Sequence, residues 1–75
     1  MQPYKDVDGD SGVAAYETGP GSITIQFARG GTYLYNASAP GPAHVAEMQR
    51  LAQTGDGLNT YINKYVRKNF AAKLA

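Results

Sequence analysis

The clearest pattern in the chain is an alternation of apolar and polar residues in the segment SITIQFA, residues 22–28. Ile23, Ile25 and Phe27 fall on one side of an extended chain, and the residues between them are polar. A period of two residues is typical of a strand with one buried face, so we predict a strand here.

The residues on either side extend this strand into a meander. Arg29-Gly30-Gly31 predicts a hairpin turn, because glycine adopts positive φ without strain. The aromatic-rich segment TYLYN, residues 32–36, predicts the return strand. Upstream, SGVAAYE at residues 11–17 predicts a weaker strand, which the turn sequence TGPG separates from SITIQFA.

The second half of the chain has a helical pattern in two segments. Residues 42–54 place a band of apolar residues and His44 on one side of a helix. Gly55-Asp56-Gly57 interrupts the pattern, and Asp56 is expected to cap a second helix over residues 58–70. The apolar stripe of that second helix consists of Leu58, Tyr61, Ile62, Tyr65 and Val66.

The order of these elements predicts an α+β fold, a three-stranded antiparallel meander followed by two helices packed on one face (β-β-β-α-α). Three strands alone would leave their apolar face in water, so helical cover is required. Residues 11–70 are predicted to form a single domain between an acidic flexible arm, residues 1–10, and a frayed C-terminal tail, residues 71–75. The residues expected to cover the strand face are Met48, Leu51, Ile62 and Tyr65.

Composition excludes several classes of protein. With 75 residues the chain forms one small domain with little room for a deep cleft. It contains no cysteine, which excludes disulfides, thiolate metal sites and cysteine nucleophiles. No apolar run is long enough to span a membrane, and the first ten residues lack the layout of a signal peptide, so we expect a cytoplasmic protein.

Several of these segments, in this order, resemble the KTSC domain, which occurs at the C-terminus of some lysyl-tRNA synthetases and as stand-alone bacterial proteins. The resemblance covers about residues 11–70 and rests on SGVAAY, ITIQF, the glycine turn, Tyr33-Leu34-Tyr35, the proline-containing loop, the first helix and GLNTYINKY. The chain departs from the family pattern in two places. ASAPGP at residues 37–42 replaces a valine-proline step, and the segment near Gly57 is one residue shorter than in the family. The resemblance implies the β-β-β-α-α fold and suggests RNA binding, but it implies no established activity.

Basic residues are concentrated near the C-terminus of the chain. Residues 58–75 contain four basic residues and no acidic residue. Lys64, Arg67 and Lys68 lie on one arc of the second predicted helix, and Arg29 lies at the hairpin tip. Such a set could bind the phosphates of a nucleic acid. The more common role of such a set is a solvated helix face whose cations suit the negative end of the helix dipole.

Tyr33 and Tyr35 share one face of the predicted return strand, and the length of the hairpin loop decides which face. An odd-length loop, pairing Phe27 with Tyr33 and Ile25 with Tyr35, turns both tyrosines under the helices. A two-residue loop turns them outward, where they could stack on unpaired bases. We favour the inward orientation, because two tyrosines complete the apolar surface better than one leucine does.

No metal site, cofactor or catalytic residue is predicted. The acids of DVDGDSGVAAYE, residues 6–17, have the spacing of a calcium-binding EF-hand loop. However, Ser11 occupies the turn position that requires glycine, and no flanking helices are predicted. His44 is the single histidine and is interpreted as a packed or rim residue, and no nucleophile motif accompanies it.

We therefore expect a small non-enzymatic binding module. The first hypothesis is accessory binding of RNA or another nucleic acid through a basic second helix. The residues assigned to this site are Arg29, Lys64, Arg67 and Lys68, with Tyr33 and Tyr35 contributing if exposed. The alternative is a protein-protein interaction or self-association module that uses an open strand edge or the basic helix. No membrane partner is expected.

Overall fold

The computed structural model describes residues 1–5 and 12–75 as a small α+β domain, in which an antiparallel sheet packs against two helices. The five strands follow one another across the sheet in chain order. They are β1 (Gln2–Pro3), β2 (Val13–Gly19), β3 (Ser22–Phe27), β4 (Thr32–Asn36) and β5 (Ala72–Lys73). The helices are α1 (Pro42–Thr54) and α2 (Leu58–Tyr61), and α2 continues as the π-helical segment Ile62–Val66.

The β3–β4 hairpin turns both tyrosines of β4 toward the core. Ile25 pairs with Tyr33 and Ile23 pairs with Tyr35, so the tyrosines share a face with the isoleucines. The Phe27 N–H donates to the Gly31 carbonyl at 3.1 Å and closes an odd-length loop over residues 28–30. The inward orientation is confirmed, but the expected partners are wrong by two positions. A shift of two residues preserves the face of every side chain.

The sheet extends beyond the predicted three-stranded meander at both edges, and the prediction of three strands is wrong. β1 pairs with β2, with Gln2 opposite Tyr16, and β5 pairs with β4, with Ala72 opposite Leu34. A strand of two residues is too short to show an alternation, and β5 joins β4 across a long stretch of sequence. Local pattern therefore carries no signal for either strand.

The expected frayed tail, residues 71–75, instead contains β5. The Ala71 N–H donates to the Leu34 carbonyl at 2.8 Å, and the Leu74 N–H donates to the Thr32 carbonyl at 2.7 Å. Gly31 makes room for this strand, because a Cβ there would clash with the Ala75 carbonyl oxygen. Pairing with β4 supplies the backbone partners that a frayed end would lack.

The expected flexible arm, residues 1–10, is also part of the fold where the structure describes it. Gln2–Pro3 forms β1, and Tyr4 is buried with 7% of its surface exposed. The Tyr4 N–H donates to the Ala14 carbonyl at 3.1 Å. The candidate calcium ligands Asp6, Asp8 and Asp10 lie outside the described residues.

Helix α1 spans the predicted residues 42–54, and both of its ends have local causes. Pro42 lies in the first turn, where a missing N–H costs nothing. The helix ends at Gly55, whose φ of 79° is left-handed and whose N–H donates to the Leu51 carbonyl at 3.0 Å.

The second helix is shorter than the predicted range 58–70, because its helical part ends at Val66. Asp56 does not cap it. The residue before the helix is Gly57, with φ of 83° and no side-chain cap. The Leu58 N–H instead donates to the Tyr4 hydroxyl at 3.2 Å.

The buried stripe of this second helix is also narrower than predicted. Leu58, Ile62 and Val66 are buried, whereas Tyr65 is 55% exposed, so the expectation that Tyr65 covers the strands is wrong. Hydrogen bonds in a π-helical turn join residues five apart, so each turn holds more residues than an α-helical turn. Residues four apart, such as 58, 62 and 66, then stay aligned, and Tyr65 rotates toward solvent.

One apolar cluster lies between the sheet and the helices. Ile23, Ile25 and Met48 have no exposed surface, whereas Phe27 and Leu51 are half-buried at the edge of the cluster. The helical members are Val45, Met48, Ala52, Leu58, Ile62 and Val66. Burying each large apolar side chain contributes about 1.5–3 kcal/mol. Within residues 1–5 and 12–75, no helix has the length and apolar character to cross a membrane.

Candidate nucleic-acid interface

An open pocket of about 590 Å³ lies between the β3–β4 hairpin and the chain that follows the π-helical segment. Its hairpin side comes from residues 27–30 together with Tyr33 and Tyr35. Its other side comes from Ile62, Asn63, Arg67, Lys68 and Phe70, and Gly12 completes the lining. The fold therefore joins segments that are far apart in the sequence.

Aromatic rings form much of the pocket wall. The Tyr33 ring is tilted against the Phe70 ring at a centroid distance of 4.6 Å and meets the Phe27 ring edge-on at 5.7 Å. Phe70 also meets Tyr35 edge-on at 6.5 Å. Such edge-on and tilted contacts are favourable for aromatic pairs. Because three of these rings are half-buried, the wall is packed behind and open toward the pocket.

Tyr35 is the buried part of this wall, with 1% of its surface exposed. Burial raises the pKa of Tyr35 to about 12, and the nearby Tyr33 adds to the shift. The Tyr35 phenol, like an ordinary tyrosine, is protonated at neutral pH, and it brings no negative charge to the pocket.

Three cationic side chains lie at the open side of the pocket. Arg29 comes from the hairpin loop, and Arg67 and Lys68 come from the turn after the π-helical segment. All three are exposed, and among the described lining residues none carries a carboxylate side chain. A fourth cation is close by, because Lys73 of β5 places its Nζ 5.8 Å from the centroid of the Tyr33 ring. The pocket thus combines an apolar aromatic wall with a positively charged rim.

The structure brings together five of the six residues that the sequence assigned to the site. Arg29, Arg67, Lys68, Tyr33 and Tyr35 all line the pocket. Lys64 does not line it, and its Nζ lies 5.5 Å from the centroid of the exposed Tyr65 ring. Lys64 was grouped with Arg67 and Lys68 on an α-helical arc, but the π-helical turn and the helix end at Val66 separate them.

Sequence reasoning missed several residues in or beside the pocket. The sequence predicted Phe70 at the end of a helix and Lys73 in a frayed tail. Phe70 lines the pocket and Lys73 lies beside it, against the Tyr33 ring, because β5 returns to β4, and that pairing has no local signal. The apolar-polar alternation of residues 22–28 predicted Phe27 in the core. The same alternation shows that Phe27 is the last aromatic residue before the hairpin loop, which is the signal that could have placed it in the site. Asn63 had no distinguishing pattern.

A second aromatic cluster lies between α1 and the second helix. His44 Nδ1 lies 2.6 Å from the Tyr61 hydroxyl oxygen, and the Tyr61 and Tyr65 rings are 4.8 Å apart. Burial raises the pKa of Tyr61, with smaller contributions from Glu47 and Tyr65. His44 is half-buried, which agrees with its interpretation as a packed or rim residue.

Within the part of the chain that the structure describes, no three His, Cys, Asp or Glu side chains are close enough to hold a metal ion. Glu17 is the last candidate ligand of the EF-hand-like segment, residues 6–17. It lies in β2 opposite Thr24, and its carboxylate is 3.8 Å from the Met1 ammonium group. The three aspartates of that loop lie outside the described residues.

Comparison of the chain with protein-family models, with curated proteins and with solved structures gives no match.

Proposed function

We propose that this domain is a small non-enzymatic module that binds single-stranded nucleic acid, RNA above all. The observation that carries the proposal is the convergence of Arg29, Arg67 and Lys68 on the rim of one aromatic pocket. Phosphates need cations, and unpaired bases need aromatic surface, so one site that offers both fits a nucleic acid. The resemblance to the KTSC domain is compatible with this function and is part of the same proposal.

The proposal predicts how strongly the binding affinity depends on salt concentration. Each phosphate neutralised on a single strand lowers the slope of log affinity against log salt by about 0.7. If the three rim cations each contact one phosphate, the slope is about −2. Binding should therefore be clear at about 50 mM salt and weaken about 16-fold by about 200 mM.

Fluorescence anisotropy with a labelled single-stranded RNA tests the proposal. Arg67→Gln should weaken binding and reduce the magnitude of the salt slope by about 0.7. Lys64→Gln is the matched control, because it removes the same charge three residues away in the chain but outside the pocket. Absence of binding at about 50 mM salt would contradict the proposal. An equal loss in the two variants would mean that net charge, and not the pocket, attracts the strand.

A polyanion competitor separates nucleic acid from other acidic partners. Unlabelled RNA should displace the labelled strand more effectively than heparin at the same concentration of charge, because heparin offers no bases to the aromatic wall. Equal competition would favour a general acidic partner.

The alternative function is protein-protein interaction through a strand edge or the basic helix. Two features of the sheet make strand pairing with a partner less favourable. Each outer strand has only two residues, and β1 includes Pro3, which lacks an N–H to donate. Pairing through a strand edge is therefore less favoured than nucleic-acid binding.

A further inference from the structure

The composition of the pocket wall points to a more specific ligand than a phosphate chain. We propose that the pocket accepts one unpaired nucleobase of the strand, with the adjacent phosphates on Arg29 and on the Arg67–Lys68 turn. The inference rests on the proposed function and adds the chemical class that the pocket selects, a nucleoside phosphate whose base is not paired.

The first argument is the aromatic surface that remains open. Tyr33, Phe27 and Phe70 are each half-buried, and all three line the pocket. Their mutual contacts are tilted or edge-on, with interplanar angles of 58° and 70°. The three rings therefore form a concave wall and not a closed stack, and such a wall can contact the face of an inserted planar group.

The second argument is size. The volume of the open pocket, about 590 Å³, lies within the range of clefts that bind small molecules, which is about 300–1,000 Å³. A base in a duplex has both faces covered by its neighbours, so it cannot enter such a pocket. Proteins that read single strands instead take splayed-out bases onto aromatic rings.

The third argument is the placement of charge and polarity. Arg29 comes from the hairpin loop, and Arg67 and Lys68 come from the turn after the π-helical segment, so two separate segments bring cations to the pocket for the phosphates on either side of a base. Asn63, which also lines the pocket, has an amide that can donate to and accept from the edge of a base. Among the described residues that line the site, no carboxylate opposes the phosphates.

The decisive experiment compares strands that differ only in their bases. The wild-type domain is titrated with a single-stranded RNA, a fully abasic strand of equal length, the matching duplex and a free nucleoside monophosphate. We expect the base-containing strand to bind about 5- to 140-fold more tightly than the abasic strand, the range that corresponds to stacking one base. The duplex and the free nucleotide should both bind more weakly than the single strand.

A pair of variants then assigns the base to the pocket. Phe70→Leu keeps an apolar side chain but removes an aromatic face, and it should reduce the advantage of the base-containing strand over the abasic one. Tyr65→Leu is the matched control, because Tyr65 is exposed and lies outside the pocket, and it should leave that advantage unchanged. The wild-type comparison of strands does not depend on the folding of either variant.

The outcomes distinguish failure of this inference alone from failure of the proposed function. Failure of both strands to bind overturns the proposed function and this inference together. Equal binding of both strands overturns the inference and leaves the phosphate-binding function in place. A duplex or a free nucleotide that binds more tightly than the single strand also overturns it, and so does a Tyr65→Leu variant that loses the base advantage.

Discussion

Tyr4 offers a sharp test of how the N-terminal segment contributes to the fold. Its hydroxyl accepts the Leu58 N–H at 3.2 Å, and Leu58 is the first residue of α2. The N–H groups of a first helical turn have no partner within the helix. The preceding residue, Gly57, provides no side-chain cap. The Tyr4 hydroxyl therefore fills the place of a cap from another part of the chain.

Tyr4→Phe removes this acceptor and keeps the aromatic ring. Tyr4 is only 7% exposed and Leu58 is fully buried, so water has little access to replace the hydroxyl. A buried N–H left without its partner costs about 1–3 kcal/mol. For a domain of this size each kcal/mol lowers the midpoint of thermal unfolding by about 4–8 °C. The expected fall in Tm is therefore at least about 4 °C.

Thermal unfolding followed by far-ultraviolet circular dichroism measures this effect. Tyr65→Phe is the control, because it removes the same atom from a ring that is 55% exposed, and its stability should stay within about 0.5 kcal/mol of wild type. A Tyr4→Phe protein as stable as the Tyr65→Phe protein would refute the capping role of Tyr4. Tyr4 would then contribute by packing alone.

Three further predictions concern other parts of the fold. Burial raises the pKa of Tyr35 from 10.0 to about 12, so the free energy of unfolding should fall between pH 10 and 12, because the unfolded tyrosine loses its proton first. Urea titrations across this pH range should show a smaller fall in the free energy of unfolding for Tyr35→Phe than for wild type. Gln49 Nε2 donates to the Gly19 and Ser22 carbonyls at 3.1 and 2.7 Å. Gln49→Glu should therefore lower the free energy of unfolding measured in urea by about 1–3 kcal/mol, whereas the control Gln53→Glu, at an exposed position, should lower it by less than about 0.5 kcal/mol. Ala71→Pro removes the N–H that donates to the Leu34 carbonyl, so the Leu74 amide should exchange its hydrogen with solvent faster than in wild type. An unchanged exchange rate at Leu74 would mean that β5 pairs with β4 without the Ala71 hydrogen bond.

The elements that could be predicted from sequence are those with a local cause. The alternation around Ile25 and the glycines after Arg29 were enough to predict β3, its hairpin and β4. Helix α1 has the predicted bounds because Pro42 and Gly55 act within one turn of its ends. In each case the signal lies within a few residues of the structure that it predicts.

The candidate site was only partly predictable, because its residues come from separate segments. Arg29 and Arg67 were named for their charge, and the sheet and helix packing brought them to one pocket. Lys64 was named on the same ground, and the π-helical turn placed it elsewhere. The charge of these residues made them candidates for the site, but their positions in the fold decided which of them line the pocket.

The sequence by itself determined the α+β class, the central hairpin and the first helix, because short-range periodicity and turn residues control each of these. It favoured the inward face of the tyrosines, but the register of the hairpin decided it. Tertiary structure alone decided the outer strands β1 and β5, the exposure of Tyr65 and the inclusion of Phe70 in the pocket wall. These depend on backbone partners and packing surfaces contributed by residues far away in the chain. Such contacts form only when the whole domain has folded.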